Sequence, residues 1–202
     1  MSFSLVLCES FTLPKKCIFK CNKKKKRVDD LTYTILDDIN QLLVDSNFQR
    51  SYICTHILNK LVQLTKSEYG LLMQVKPIQG HLELHTYAIT NMAWNYSSKE
   101  FFSKYISDPL IFKNLNDILF GDVVFTKEVV VCNDYKKLKR KSLPKGHPPI
   151  KRFLGIPIVL GGKPIMVLGV CNKLNKYVKA DAERVENLMT VLAYLFIDLH
   201  TT

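Results

Sequence analysis

The chain has 202 residues, 47% of them hydrophobic and 23% charged, with a formal net charge of +11. The length suits one domain of about 150 residues with extensions, and the composition excludes a disordered, fibrous or membrane-embedded chain. The charge is local: residues 10–28 and 136–152 each carry eight cations and no acid, while the remainder holds 13 bases against 18 acids, which argues against a nucleic-acid binder with a uniformly basic surface.

The six cysteines are Cys8, Cys17, Cys21, Cys54, Cys132 and Cys171, and no pair has C-x-x-C spacing. They read as reduced, partly buried thiols of an intracellular protein, cytoplasmic or, through the basic block described next, nuclear. A zinc site on Cys17 and Cys21 lacks a second ligand pair, so no metal is assigned. No run approaches the roughly 18 apolar residues of a membrane span.

Residues 1–28 read as a basic extension, and 29–202 as a single domain. Lys23, Lys24, Lys25, Lys26 and Arg27 form either a solvated linker or an arm for anionic surfaces. Asp29 and Asp30 then place negative charge at a helix start. Apolar residues from Leu31 to Leu43 recur at three- and four-residue steps, which predicts an amphipathic helix over 31–45. The same period from Phe48 to Leu64 predicts a second helix. The period then changes. Residues 70–75 and 81–89 read as two strands turning at Gln79-Gly80. Alternation puts His81, Glu83, His85 and Tyr87 on one face, and Leu82, Leu84, Thr86 and Ala88 on the other.

Trp94 lies on a loop between Met92 and Tyr96, as a lid over a pocket or as a core anchor. A helix follows through Phe101, Phe102, Tyr105 and Ile106. Residues 114–120 read as a short helix or turn, and 123–125 and 129–131 as short strands. Residues 136–152 read as a polar loop. Residues 153–160 and 165–171 are two apolar runs around Gly161-Gly162, a hairpin of buried strands. The last helix covers 182–199 on a broad apolar face, with Asp181 as its N-cap. This interleaving of helices and strands predicts an α+β or α/β sandwich around a largely antiparallel sheet.

Three stretches carry a family resemblance. The first is Leu143-Pro144-x-Gly146-His147-Pro148-Pro149-x-x-x-Phe153-Leu154-Gly155-Ile156-Pro157-Ile158. The second runs from Gly162 to Gly169-Val170-x-Asn172. The third is Tyr177-x-x-x-Asp181 before the apolar last helix. In this order they resemble the GAF domains of bacterial signalling proteins. The resemblance implies a PAS-like α+β fold: a central six-stranded antiparallel sheet, the N- and C-terminal helices on one face, loops and short helices on the other. It also implies regulation, through a small ligand held between sheet and loops or through dimers formed by terminal helices. The Asn-Lys…Phe…Asp-Glu signature of cyclic-nucleotide phosphodiesterase GAF domains is matched in part by Asn172-Lys173-x-x-x-Tyr177-x-x-x-Asp181-Ala182. There Lys173 and Asp181 would form a structural ion pair joining strand end to helix start. Bilin-binding members use a Cys beside a His, a pair that does not occur here.

The sequence has no G-x-S-x-G, H-E-x-x-H, G-x-G-x-x-G or phosphate-cradling motif, so no catalytic residue and no cofactor is assigned. A pocket between sheet and loops would be walled by Trp94, Phe101, Phe102, Tyr105, Phe125 and Phe153. Its mouth would carry His147, Lys151 and Arg152, a basic rim suited to an anionic or nucleotide-like ligand. His147 equally suits a turn whose ring bonds the backbone. The alternatives are a ligand-free scaffold for protein assembly and a redox enzyme of the GAF-type methionine sulfoxide reductase kind. The apolar faces at 31–45 and 182–199 predict a homodimer through terminal helices. Only His200-Thr201-Thr202 follow the last helix, so a separate effector or scaffold protein is expected.

Overall fold

The computed structural model describes residues 30–44, 50–92, 96–137, 143 and 147–197. The basic block at 23–27 and Trp94 lie outside the described residues.

Helices α1 (Asp30–Val44) and α2 (Arg50–Thr65) come first. Ile35 and Ile39 of α1, and Cys54, Ile57, Leu58 and Leu61 of α2, are buried. Their three- and four-residue spacing puts each set on one helix face. Lys66 takes a left-handed φ of 54° and ends α2. Its N–H donates to the Gln63 carbonyl at 3.0 Å, and the Ser67 N–H to Val62 at 2.9 Å. Two carbonyls left open by the helix end are satisfied in this way.

Strands β1 (Tyr69–Ile78) and β2 (His81–Ile89) form the first hairpin. Then come α3 (Tyr96–Ser107), β3 (Ile111–Phe112), α4 (Leu119–Thr126) and β4 (Val130–Cys132). The second hairpin, β5 (Phe153–Leu160) and β6 (Lys163–Cys171), leads into α5 (Lys179–Ile197). All six strands belong to one sheet in the order β3-β2-β1-β6-β5-β4. Every neighbouring pair is antiparallel. The two hairpins meet at the centre, with Tyr69 opposite Cys171 and Gln74 opposite Met166.

Strand alternation divides the core. Leu72, Leu154, Ile156, Met166, Leu168 and Val170 pack with α1, α2 and α5, where Val185, Leu188 and Met189 are buried. Tyr69, Leu71, Met73, Phe153, Val167 and Cys171 turn to the other side, among Leu115, Leu119 and Val123. Phe102 and Tyr105 of α3 pack on that second cluster. This is the α+β arrangement expected from the sequence, with helices on one face and short helices and loops on the other. Among the described residues no helix is long and apolar enough to cross a membrane.

Three local expectations are corrected and one strand is added. Residues 123–125 lie in α4, not in a strand. Their β-branched and aromatic character is overridden by docking: Val123 and Val124 are buried, and a Cβ on Gly121 would stand 1.7 Å from the Leu115 carbonyl oxygen. A register shift against Leu72/Met73 breaks the alternation of β2. Leu84 therefore faces the second cluster, whereas Ala88 joins the first, where Tyr87 also packs. Asp181 is no N-cap. It sits in the first turn of α5, and its Oδ2 accepts the Val178 N–H at 2.9 Å, as the acid of a capping box does. Finally, β3 pairs with β2 at Leu84 and His85 although nothing in its two residues announces a strand.

Candidate ligand cavity

Two glycines shape one face of the sheet. Gly155 and Gly169 are register partners in β5 and β6. A Cβ on Gly169 would meet the Phe120 ring at 2.3 Å, and one on Gly155 would meet Val123 at 2.4 Å. Glycine inside a strand marks such close approach. Phe120 lies against the sheet here, edge to face with Phe153 at 5.1 Å between ring centroids.

Beside these rings the sheet, α4 and the segment around His147 and Ile150 bound a cavity of about 320 Å³. Small-molecule sites span about 300–1,000 Å³. Leu71, Phe153, Gly169 and Cys171 form its floor, and Met92, Leu119 and Phe120 belong to its apolar wall. Polar groups enter from Tyr69, Asn114, Asp117, Tyr135 and His147.

One row of the sheet carries Cys132, Phe153, Cys171 and Tyr69 on successive strands. Burial pushes the Cys171 thiol up to about 12, against the opposing effect of a hydrogen bond from Tyr69. Burial also drives the Tyr69 phenol far above its ordinary value, and the neighbouring Cys171 adds to this. Both groups are therefore protonated at neutral pH. Cys132 and Cys171 lie two strands apart. At about 4.8 Å per strand this exceeds the roughly 7 Å that a disulfide spans between Cα atoms.

His147 packs its ring edge-on to Tyr69, with centroids 6.1 Å apart. Its Nδ1 is 2.6 Å from the Pro148 carbonyl. A carbonyl only accepts, so Nδ1 carries the proton. Burial holds the imidazole below its usual pKa, against the hydrogen bond to Pro148, and keeps the ring neutral at pH 7. The Tyr69 hydroxyl points to the same stretch, 3.4 Å from the Pro148 carbonyl.

Asn172 fastens that stretch to the end of β6. Its backbone is left-handed, with φ 63°. Its Oδ1 accepts the Lys151 N–H at 2.8 Å and the Arg152 N–H at 3.3 Å. Its Nδ2 donates to the Glu68 carboxylate and the Pro149 carbonyl, each at 2.8 Å. Next to it, Lys173 Nζ lies 2.6 Å from both carboxylate oxygens of Asp181. The Lys173 N–H donates to the Tyr177 hydroxyl at 3.3 Å, and that hydroxyl is 2.7 Å from Ser67 Oγ.

The histidines of β2 form a separate cluster. His81 Nε2 and His85 Nε2 lie 3.2 and 3.0 Å from the two oxygens of Glu83. Burial opposes ionisation of Glu83; hydrogen bonds from His85 and then His81, with the Lys113 charge, outweigh it and hold the carboxyl below its usual range. Among the described residues no group of three or more His, Cys, Asp or Glu is arranged to hold a metal ion.

Of the residues singled out in the sequence, His147 and Phe153 line the cavity. Phe102 and Tyr105 pack on the apolar cluster behind it. Arg152 is not in the lining, and its Nη1 donates to the Lys173 carbonyl at 3.1 Å. Lys151 is exposed, and Phe125 is 54% exposed. Trp94 and the Phe101 side chain lie outside the described residues. Lys173 and Asp181 are brought together as an ion pair. Sequence reasoning passed over Tyr69, Cys171, Phe120 and the bonding role of Asn172. Gly169, a glycine within a buried strand, is the sequence signal that could have found this floor.

Comparisons with known proteins bear on the fold and the family. A methyl sulfide methyltransferase-associated sensor of Methanosarcina acetivorans is 29% identical over 131 residues, 63% of this chain and 12% of that protein. The chain thus matches only a small part of that relative's length. The GAF domain of an Acinetobacter phosphoenolpyruvate-protein phosphotransferase superposes with a TM-score of 0.65 at 18% identity, over 86% of this chain and 94% of that one. The free methionine-R-sulfoxide reductase of Neisseria meningitidis, solved with its substrate, superposes with a TM-score of 0.59 at 13% identity, over 83% and 90%. At these identities the two structures speak to fold alone. The GAF domain family model matches residues 51–195, and the chain belongs to that family.

Proposed function

We propose that this domain is a sensory or regulatory module. It binds a small molecule in the cavity over Gly169 and Cys171 and signals to a separate partner protein, without catalysing a reaction itself. The observation that supports this most is the cavity: about 320 Å³ of mostly apolar space with a few convergent polar groups. Leu143, His147 and Ile150 belong to its lining, and the stretch 136–152 in which they stand carries eight cations in the sequence. An anionic or nucleotide-like ligand is the class this favours.

A panel of purine nucleotides, cyclic nucleotides and their uncharged nucleosides tests the reading by thermal shift and by amide shifts at Gly169 and Ile150. A ligand at 100 times its Kd adds about 2.7 kcal/mol of stability. A flat response in both measurements removes the ligand reading and leaves the scaffold reading. Tyr33 on α1 and Tyr52 on α2, 60% and 51% exposed, support a helical surface for a second copy of this chain or another partner. Light scattering tests it: the mass of a single chain at micromolar concentration rules out the homodimer.

The sulfoxide reductase reading needs a reactive thiolate. Among the described residues Cys171 is the thiol that lines the cavity, and its elevated pKa opposes that role.

A further inference from the structure

We propose that Asn172 is the coupling residue of this domain: it ties the movable wall of the cavity to the start of α5, so that filling the cavity is felt in that helix. The inference rests on the sensory reading above and says how the site would regulate.

The wall in question is the segment from His147 to Arg152. His147 and Ile150 contribute to the cavity lining. Between them, Pro148 and Pro149 fix φ and make the stretch stiff. A ligand that displaces His147 or Ile150 therefore moves the segment as a unit. Asn172 grips this segment at the Pro149 carbonyl and at the Lys151 and Arg152 N–H groups. The Arg152 guanidinium adds a second tie, to the Lys173 carbonyl at 3.1 Å.

The other end of the clamp is the helix. Lys173 follows Asn172 directly and holds both oxygens of Asp181 at 2.6 Å. Asp181 in turn accepts the Val178 N–H in front of α5. Wall, strand end and helix start are thus joined by hydrogen bonds and the peptide link from Asn172 to Lys173. Asparagine suits this place on two counts. It tolerates the left-handed backbone, and it alone among short side chains offers an acceptor and a donor amide together.

Xenon pressure tests the proposal without a known ligand, because xenon enters apolar cavities of this kind. The full chain is observed by NMR at the Gly169 and Ala182 amides, in the wild type, in Asn172→Gly and in Lys173→Met. Asn172→Gly keeps the left-handed backbone. Lys173→Met cuts the tie to α5 and leaves the Asn172 bonds in place, should the first variant fold poorly. In the wild type both amides shift. In either variant Gly169 still shifts, while the Ala182 shift is lost and the ratio of the two falls with it. An unchanged ratio in a folded variant overturns the coupling, as does a wild type in which Gly169 responds and Ala182 does not. Absence of any shift at Gly169 overturns the cavity reading itself, and the coupling with it.

Discussion

Gly155 and Gly169 stand opposite each other in β5 and β6, and Val123 and Phe120 of α4 occupy the space that their missing side chains leave. Adding a methyl group to either forces atoms that are already in contact. Gly155→Ala and Gly169→Ala are expected to destabilise by about 1–3 kcal/mol each, as overpacking does. Urea unfolding of the two variants measures this. Because they share the same ring of Phe153, the double variant departs from additivity.

The pair of Lys173 and Asp181 carries two duties, an ion pair and a backbone hydrogen bond to Val178. Asp181→Ala removes both and leaves a partly buried ammonium without its carboxylate. A loss of about 2–3 kcal/mol is expected. Asp181→Asn keeps an acceptor for the Val178 N–H and is expected to lose less. Equal losses in the two variants would show that the charge, not the cap, carries the energy.

His147 makes the cavity wall sensitive to acid. Burial lowers its folded pKa below the ordinary value of 6.5. The unfolded chain then binds the proton more readily, so stability is complete above about pH 6.5 and declines as pH falls through the folded value. Urea midpoints between pH 7.5 and 5 are expected to fall more steeply in the wild type than in His147→Gln. Parallel curves would exclude His147 as the group responsible.

Cys54, Cys132 and Cys171 are buried free thiols. With its pKa near 12, Cys171 is almost wholly protonated at pH 8. Iodoacetamide at that pH is expected to leave Cys171 unmodified in the folded protein and to label it fully in denaturant, as read by peptide mass mapping. Rapid native labelling of Cys171 would restore the reductase reading to consideration.

The motif Leu143-Pro144-x-Gly146-His147-Pro148-Pro149 and the Phe153 strand after it make the family legible from the sequence. The amphipathic period of α1 and α2 gave the helical layer for the same reason: burial follows sequence spacing when one face of an element is covered. The site was legible only in part. His147 and Phe153 stood out by type and neighbourhood. Tyr69 and Cys171 did not, because they are 102 residues apart in sequence number and meet only through the β1–β6 pairing.

The sequence by itself determined the order of the main elements, the two central hairpins and the family, since each follows from local period, turn residues and a contiguous motif. Tertiary structure alone decided that residues 123–125 are helical, that a bulge turns Ala88 to the opposite side from Leu84, and that Arg152 reaches Lys173. It also decided that Asn172 binds Glu68, Pro149, Lys151 and Arg152 together. The physical reason is common to all four. Each rests on contacts between residues far apart in the chain, where the glycine floor and the strand register, not local propensity, set which conformation has the lower free energy.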